Sequence, residues 1–228
     1  MIGRPQLDLP FADALAPSTR RTVLYAPTWE GAVESNNWTS IDRFGTRIAE
    51  AALGRDDVRL VYKPHPRIPG SPRASIAGAH RSIVQQIKVA NARDEEAGHV
   101  VATTGDILGM FARCDALVGD VSSVSLDFLY VRPDCPIFLT DRNDDRDQLT
   151  AVSPLAEGVD VLDRTTIGTF PALLATRLDH DGRKDERAAI RKRYFGDLTP
   201  GASLAGFLDE VDRLIVTRDR LVGAWQPS

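Results

Sequence analysis

Short runs of apolar, often β-branched residues alternate along the chain with longer stretches whose apolar residues recur every three or four positions. The short runs predict strands at residues 22–26, 58–62, 100–102, 116–118 and 136–139, with 158–162 as one further edge strand. Helical spacing runs through Ile41, Phe44, Ile48 and Ala52, stopping at Gly54, then through Ile76, Ile83 and Ile87. It returns at 107–113 and in Val124, Leu126, Phe128 and Leu129. Further on, 167–178 predicts a helix with Pro171 in its first turn, followed by helices at 188–195 and 203–221. In the last of these, Leu204, Phe207, Leu208, Val211, Leu214 and Ile215 form one apolar stripe. Strands alternating with helices at nearly even spacing predict an α/β fold, a mostly parallel sheet with helices on both faces.

The prolines and glycines divide the chain. Gly3, Pro5, Pro10 and Pro17 break regular structure before the first strand, so residues 1–21 read as a linker-like segment and 22–222 as the domain. The acidic, arginine-containing stretch 141–147 lacks the glycine turn and terminal glutamate of a calcium loop and reads as a solvated loop. With 228 residues, 43% of them hydrophobic, the chain can bury one large core. A net charge of -4 argues against general nucleic-acid binding. Cys114 and Cys135 show neither metal nor disulfide spacing and read as reduced thiols in or near the core. There is no apolar run of about 18 residues. No metal site or cofactor is expected.

Two stretches carry candidate chemistry. In 115–130 a buried strand passes through Gly119-Asp120-Val121-Ser122-Ser123 into a helix. A helix N-terminus offers unpaired N–H groups and the positive end of the dipole to an anion. Ser122 and Ser123 can add hydroxyl donors, and Asp127 is placed to accept from sugar or polyol hydroxyls. The plain structural alternative is a capping Ser122 and a solvated Asp127. The second stretch, Lys63-Pro64-His65-Pro66-Arg67, directly follows a strand. Two prolines hold the backbone extended around His65, at the strand end where open parallel sheets bind ligands. Lys63, His65 and Arg67 together suit an anion. Trp29 and Trp38 read as packing anchors, and His80 and His99 as structural or surface residues.

With those residues in view, the chain resembles the CDP-glycerol glycerophosphotransferases, the polymerases and primases of teichoic-acid synthesis. The likeness rests on residues 23–29 (Val-Leu-Tyr-Ala-Pro-Thr-Trp), on Lys63-Pro64-His65-Pro66, on the aspartate and double serine of 115–128, and on residues 3–8 (Gly-Arg-Pro-Gln-Leu-Asp), in the family's order. Leu126 stands where an aromatic is common. Beyond 141 the likeness is weak. The resemblance implies a Rossmann-like domain, the C-terminal, donor-binding half of a two-domain GT-B glycosyltransferase. It also implies a cytoplasmic enzyme, free or peripheral to the inner face of the membrane.

Carried over, Lys63, His65, Ser122 and Ser123 would meet the phosphates of CDP-glycerol or a related CDP-polyol. His65 would be catalytic, and Asp127 and Thr28 would hold ribose or polyol. The partners would be a polyol-phosphate or lipid-linked acceptor and an N-terminal half that supplies the general base. A metal-free site would do its work by positioning and electrostatic stabilisation. Two other classes share these features: a glycosyltransferase or epimerase using another nucleotide sugar, and a non-catalytic nucleotide-binding module.

Overall fold

A computed structural model describes residues 3–199 and 201–224. The strands are β1 (Arg21–Ala26), β2 (Val58–Tyr62), β3 (Val100–Val101), β4 (Ala116–Gly119), β5 (Ile137–Thr140) and β6 (Asp160–Leu162). The helices are α1 (Thr46–Leu53), α2 (Ala74–Arg93), α3 (Leu108–Phe111), α4 (Ser123–Val131), α5 (Arg146–Val152), α6 (Phe170–Asp179), α7 (Lys184–Phe195) and α8 (Ala202–Ala224). A π-helical turn, Ile41–Gly45, leads into α1.

All strand pairs are parallel, and the sheet order is β3-β2-β1-β4-β5-β6. The chain builds outward from β1 to one side, then crosses back to place β4 on the other. This makes a switch point between β1 and β4, where the crevice beyond the strand ends is the ligand position of such sheets. Alternation along the strands fills two cores. Val23, Tyr25, Leu60, Tyr62 and Val118 face α1, α2 and α6 through Ile48, Ile83 and Phe170. Leu24, Ala26, Val61, Leu117 and Leu139 face α3, α4, α5 and α7 through Phe111, Phe128, Leu149 and Ile190. The central strands are therefore apolar on both sides, as a doubly covered parallel sheet requires.

Three regions differ from the sequence-based expectation. The 141–147 stretch is not a solvated loop throughout, because Asp141 and Arg142 are buried. Arg142 pairs with Asp42 and donates to Thr39 O at 2.8 Å, and Asp145 caps α5 through Gln148 N at 2.9 Å. Helix α5 was not expected, since its single buried residue, Leu149, leaves no periodic signal. The segment before β1 is packed onto the domain. Leu7 and Leu15 are buried, and Gly109 lies so close to Ala12 O that a Cβ there would sit 2.3 Å from it. The stripe on α8 is largely exposed, with Phe207, Leu208, Leu214 and Ile215 open to solvent.

Helix α8 is anchored at its start by the first turn of the chain. Asp8 accepts from Leu204 N at 2.9 Å and from Tyr130 Oη at 3.1 Å. Burial opposes ionisation of Asp8, but these bonds outweigh it and hold the carboxyl below its ordinary value. Asp8→Ala is expected to cost about 1 kcal/mol, as for a lost helix cap, read as a lower urea midpoint at unchanged slope. A carboxyl depressed in the folded state stabilises above the unfolded-chain pKa of about 4 and loses that effect as pH falls through the folded value. Wild type and variant should therefore converge in acid. Equal midpoints at pH 7 would show that the clasp contributes nothing.

Candidate functional site

The loops after β1, β2 and β3 and the start of α4 enclose a cleft of about 530 Å³ on the C-terminal edge of the sheet. Thr28, Lys63, His65, Ser122 and Ser123 all line it. His65 and Ser122, 57 residues apart in sequence, thus face one crevice. A larger open groove, about 840 Å³, lies between α1 and α2 and is lined by Glu50, Leu53, Arg81 and Arg93. It belongs to the outer helical layer, away from the strand ends, and its lining holds no histidine or cysteine.

The His65 loop extends the sheet. Lys63 N donates to Tyr25 O at 2.8 Å and His65 N to Pro27 O at 3.1 Å, so parallel pairing runs on past β2 and fixes the histidine backbone. Arg67 N donates to His65 Nδ1 at 3.2 Å. In the neutral ring that places the proton on Nε2, the nitrogen with no bond to the described residues. The ring stacks on Trp29 with centroids 5.9 Å apart. Burial first, and the Arg67 charge second, lower the His65 pKa, with Glu30 partly opposing them. His65 is therefore a neutral donor at pH 7. Burial also lowers the Lys63 pKa, with Asp106 opposing, and its ammonium reaches Thr104 O at 3.2 Å.

The other wall is the start of α4. Ser122 is the N-cap residue, with extended backbone angles φ -158° and ψ 166°. Its hydroxyl makes no capping bond, and the buried Oγ has no partner among the described residues. A buried hydroxyl left unsatisfied is costly, and here it stands beside the free N–H groups of the helix end. Ser123 is exposed. Gly119 permits the tight entry into α4, since a Cβ there would lie 2.7 Å from Ser125 Oγ. Ser125 Oγ in turn donates to Asp120 O at 2.9 Å.

Asp120 ties the cleft together from behind. It is fully buried. Its Oδ2 accepts from Thr28 N at 2.8 Å, and its Oδ1 accepts from Ser40 N at 3.1 Å and Thr140 Oγ1 at 2.5 Å. Burial pushes its pKa up to about 6, and these bonds limit the rise. Sequence reading passed over this residue, although an aspartate directly after a buried strand and before two serines was the available signal.

Asp127 is not brought to the cleft. It is buried on α4, 2.5 Å from the Arg4 guanidinium, and burial raises its pKa while Arg4 offsets part of the rise. The expectation that Asp127 faces a bound polyol is corrected in this respect: its visible partner is the N-terminal segment. Thr28 does line the cleft, and its backbone N–H is spent on Asp120. Trp29, read as a packing anchor, does pack against the core and also forms cleft wall. Gly105, Asp106 and Ile107 also line it. Their signal was positional, a Thr-Thr-Gly-Asp turn following the third strand. His80 and His99 are structural as expected, bonded to Tyr62 Oη at 3.0 Å and Leu60 N at 3.0 Å. Both cysteines are free, with burial pushing each thiol up to about 12.

Residues 14–148 match the family model described as CDP-Glycerol:Poly(glycerophosphate) glycerophosphotransferase. The chain belongs to this family. Among solved structures, the wall teichoic acid polymerase TagF is similar to the glycerophosphotransferase domain over 89% of this chain and 45% of its own, at 18% identity and TM-score 0.51. A protein named as a UDP-N-acetylglucosamine 2-epimerase from Listeria monocytogenes is similar over 95% of this chain and 53% of its own, at 14% identity and TM-score 0.56. An alpha,alpha-trehalose-phosphate synthase from Burkholderia xenovorans is similar over 85% and 44%, at 11% identity and TM-score 0.52. A search of curated proteins returned no match. At these identities the likeness is one of fold, a parallel α/β sheet with helices on both faces, and the chain spans about half the length of the structures it matches. Among the described residues, no helix is long and apolar enough to cross a membrane.

Asp120→Asn replaces one acceptor oxygen with a donor that faces a backbone or hydroxyl donor. A loss of about 1–3 kcal/mol is expected from the unsatisfied group. The pH dependence has a defined sign. A carboxyl whose folded pKa lies near 6 rather than near the ordinary ~4 makes the folded state less stable as pH rises between those values. The wild type should lose stability relative to the variant over that window, with a constant difference above it. Urea titrations from pH 4 to 8 check both points, and a pH-independent difference would show that Asp120 ionises in the folded chain as it does in the unfolded one.

Proposed function

We propose that this domain holds the diphosphate of a cytidine-activated polyol, CDP-glycerol or a related CDP-polyol, and positions it for transfer of polyol phosphate to a polyol-phosphate or lipid-linked acceptor. The observation that carries the reading is the buried, unpartnered Ser122 hydroxyl at the N-terminus of α4, across the cleft from a stacked, tautomer-fixed His65. Membership in the glycerophosphotransferase family supports the choice of donor.

The chemistry suits these groups. An acceptor hydroxyl attacks the distal phosphorus and gives its proton to a base. The new O–P bond forms as the P–O bond to CMP breaks. Negative charge grows on the departing phosphate, and fixed donors aimed there lower the barrier. In this reading the α4 N–H groups, the hydroxyls of Ser122 and Ser123, the Lys63 ammonium and the His65 Nε2–H supply them. Thr28 stands at the cleft wall for the ribose or polyol. The base belongs to a facing half of the GT-B cleft, so this chain alone binds the donor weakly and turns over only when that half is supplied.

The epimerase and trehalose-phosphate synthase folds favour a second reading, in which the nucleotide is not cytidine. Competition between cytidine and uridine diphosphates for the cleft decides between them.

His65→Ala, and separately Ser122→Ala with Ser123→Ala, should weaken CDP binding about tenfold or more, since a hydrogen bond to a charged group is worth ~1.5–3 kcal/mol. Calorimetric constants unchanged in both variants would send the phosphates elsewhere. Because the His65 pKa is lowered from 6.5, its imidazolium forms only in acid. CDP affinity relative to His65→Gln should therefore rise as pH falls from 7 towards 5. A parallel pH profile in the two proteins would exclude His65 from the phosphate site.

A further inference from the structure

Beyond Trp29 and Pro66 the cleft adjoins a second recess, about 460 Å³, and these two residues line both. Its charged lining is Glu30, Arg67 and Arg73. Nothing in the donor reading uses it, yet it carries two unmet demands.

The first is Glu30. The residue is 6% exposed; its Oε1 takes the Ser71 hydroxyl, and its Oε2 is buried without a donor among the described residues. A buried carboxylate oxygen calls for an O–H or N–H partner. The second is Arg67. Its guanidinium lies 4.2 Å above the Trp29 ring, and no carboxylate among the described residues pairs with it. The planar fork of arginine suits a phosphate. Arg73 stands on the same wall. Its pair with Glu34, at 2.6 Å between two exposed side chains, is of the weak surface kind and yields to a competing anion. Gly31, at φ 72°, turns the chain directly after Glu30, and a Cβ there would meet Asn36 O at 2.8 Å, so the loop that holds the carboxylate is closely packed.

A ligand that answers both demands carries a hydroxyl and a phosphate a few bonds apart. We infer that this recess is the acceptor subsite, binding a polyol phosphate with a hydroxyl on Glu30 and the phosphate on Arg67 and Arg73. The inference rests on the donor reading of the neighbouring cleft. With the donor diphosphate against His65 and Ser122, a polyol phosphate across Trp29 brings its free hydroxyl end to the shared wall, where transfer would occur. The shared chemistry covers both a free glycerol phosphate and the end of a poly(glycerol phosphate) chain.

The test is calorimetric titration of the chain with glycerol 3-phosphate, with a short poly(glycerol phosphate), with inorganic phosphate and with CDP, for wild type, Arg67→Gln, Arg73→Gln, Glu30→Gln and His65→Ala. Arg67→Gln and Arg73→Gln should each weaken glycerol 3-phosphate about tenfold, and Arg73→Gln, outside the donor cleft, should leave CDP within twofold, which also shows that the variant is folded. His65→Ala should do the reverse. Wild type should prefer glycerol 3-phosphate to inorganic phosphate, and Glu30→Gln should abolish that preference. Tighter binding of the oligomer, lost in Arg67→Gln, assigns the recess to a polymer end. Binding of glycerol 3-phosphate with no tighter binding of the oligomer assigns the recess to the free compound. Absence of glycerol 3-phosphate binding, equal affinity for inorganic phosphate, or parallel losses of CDP and glycerol 3-phosphate in Arg73→Gln would each overturn the subsite. If CDP fails to bind while the Arg67-dependent glycerol 3-phosphate signal persists, the recess stands as a polyol-phosphate site and the donor assignment falls.

Discussion

One buried carboxylate holds the site together. Asp120 sits at the end of β4, at the switch point of the sheet, and receives donors from the loop after β1, from the last residue of β5 and from the start of the π-helical turn. Two of these are backbone N–H groups, of Thr28 and Ser40, that would otherwise go unmet, and the third is the Thr140 hydroxyl. Gathering them on one carboxylate costs the desolvation of a charge, visible in its raised pKa. In return the Thr28 loop is fixed against β4, and the cleft has a defined width. The same residue begins the turn into α4, whose close approach depends on the missing side chain of Gly119.

In the proposed reading the cleft meets negative charge with the Lys63 ammonium and with oriented donors that carry no formal charge, His65 among them, since burial lowers its pKa. Such donors need no reorganisation when charge moves along a phosphoryl-transfer coordinate. The two prolines around His65 act in the same sense. They contribute no N–H of their own, and between them His65 N closes onto Pro27 O. Trp29 stiffens the arrangement further, with the imidazole and the Arg67 guanidinium both set against its ring.

Away from the site, the first turn of the chain meets the start of its last helix. Arg4 reaches Asp127, and Asp8 reaches the first turn of α8 and Tyr130. The fold thereby gains a clasp between its first and last elements, with α8 projecting from it and its apolar stripe turned largely to solvent. An apolar face of that extent is uncommon on an isolated monomer. It accompanies a chain that spans about half of the GT-B structures it resembles.

Periodicity alone determined the alternation of strands and helices, because strands covered on both faces are apolar at every position and their helices carry apolar residues at 3.6-residue spacing. It also determined the stiff presentation of His65 and the serines at a helix start, since proline and capping chemistry act within a few residues. Other features depended on the third dimension. Asp120 and Asp127 are both aspartates beside apolar runs, and sequence cannot tell which is buried under three donors and which meets Arg4, 123 positions away. Trp29 packs like a core residue in the local pattern, and only the approach of the β2 loop makes it a wall. The stripe on α8 follows the same rule as the buried stripes on α1 and α2. Its exposure is decided by what stands opposite, and a helix's own sequence does not specify its neighbour.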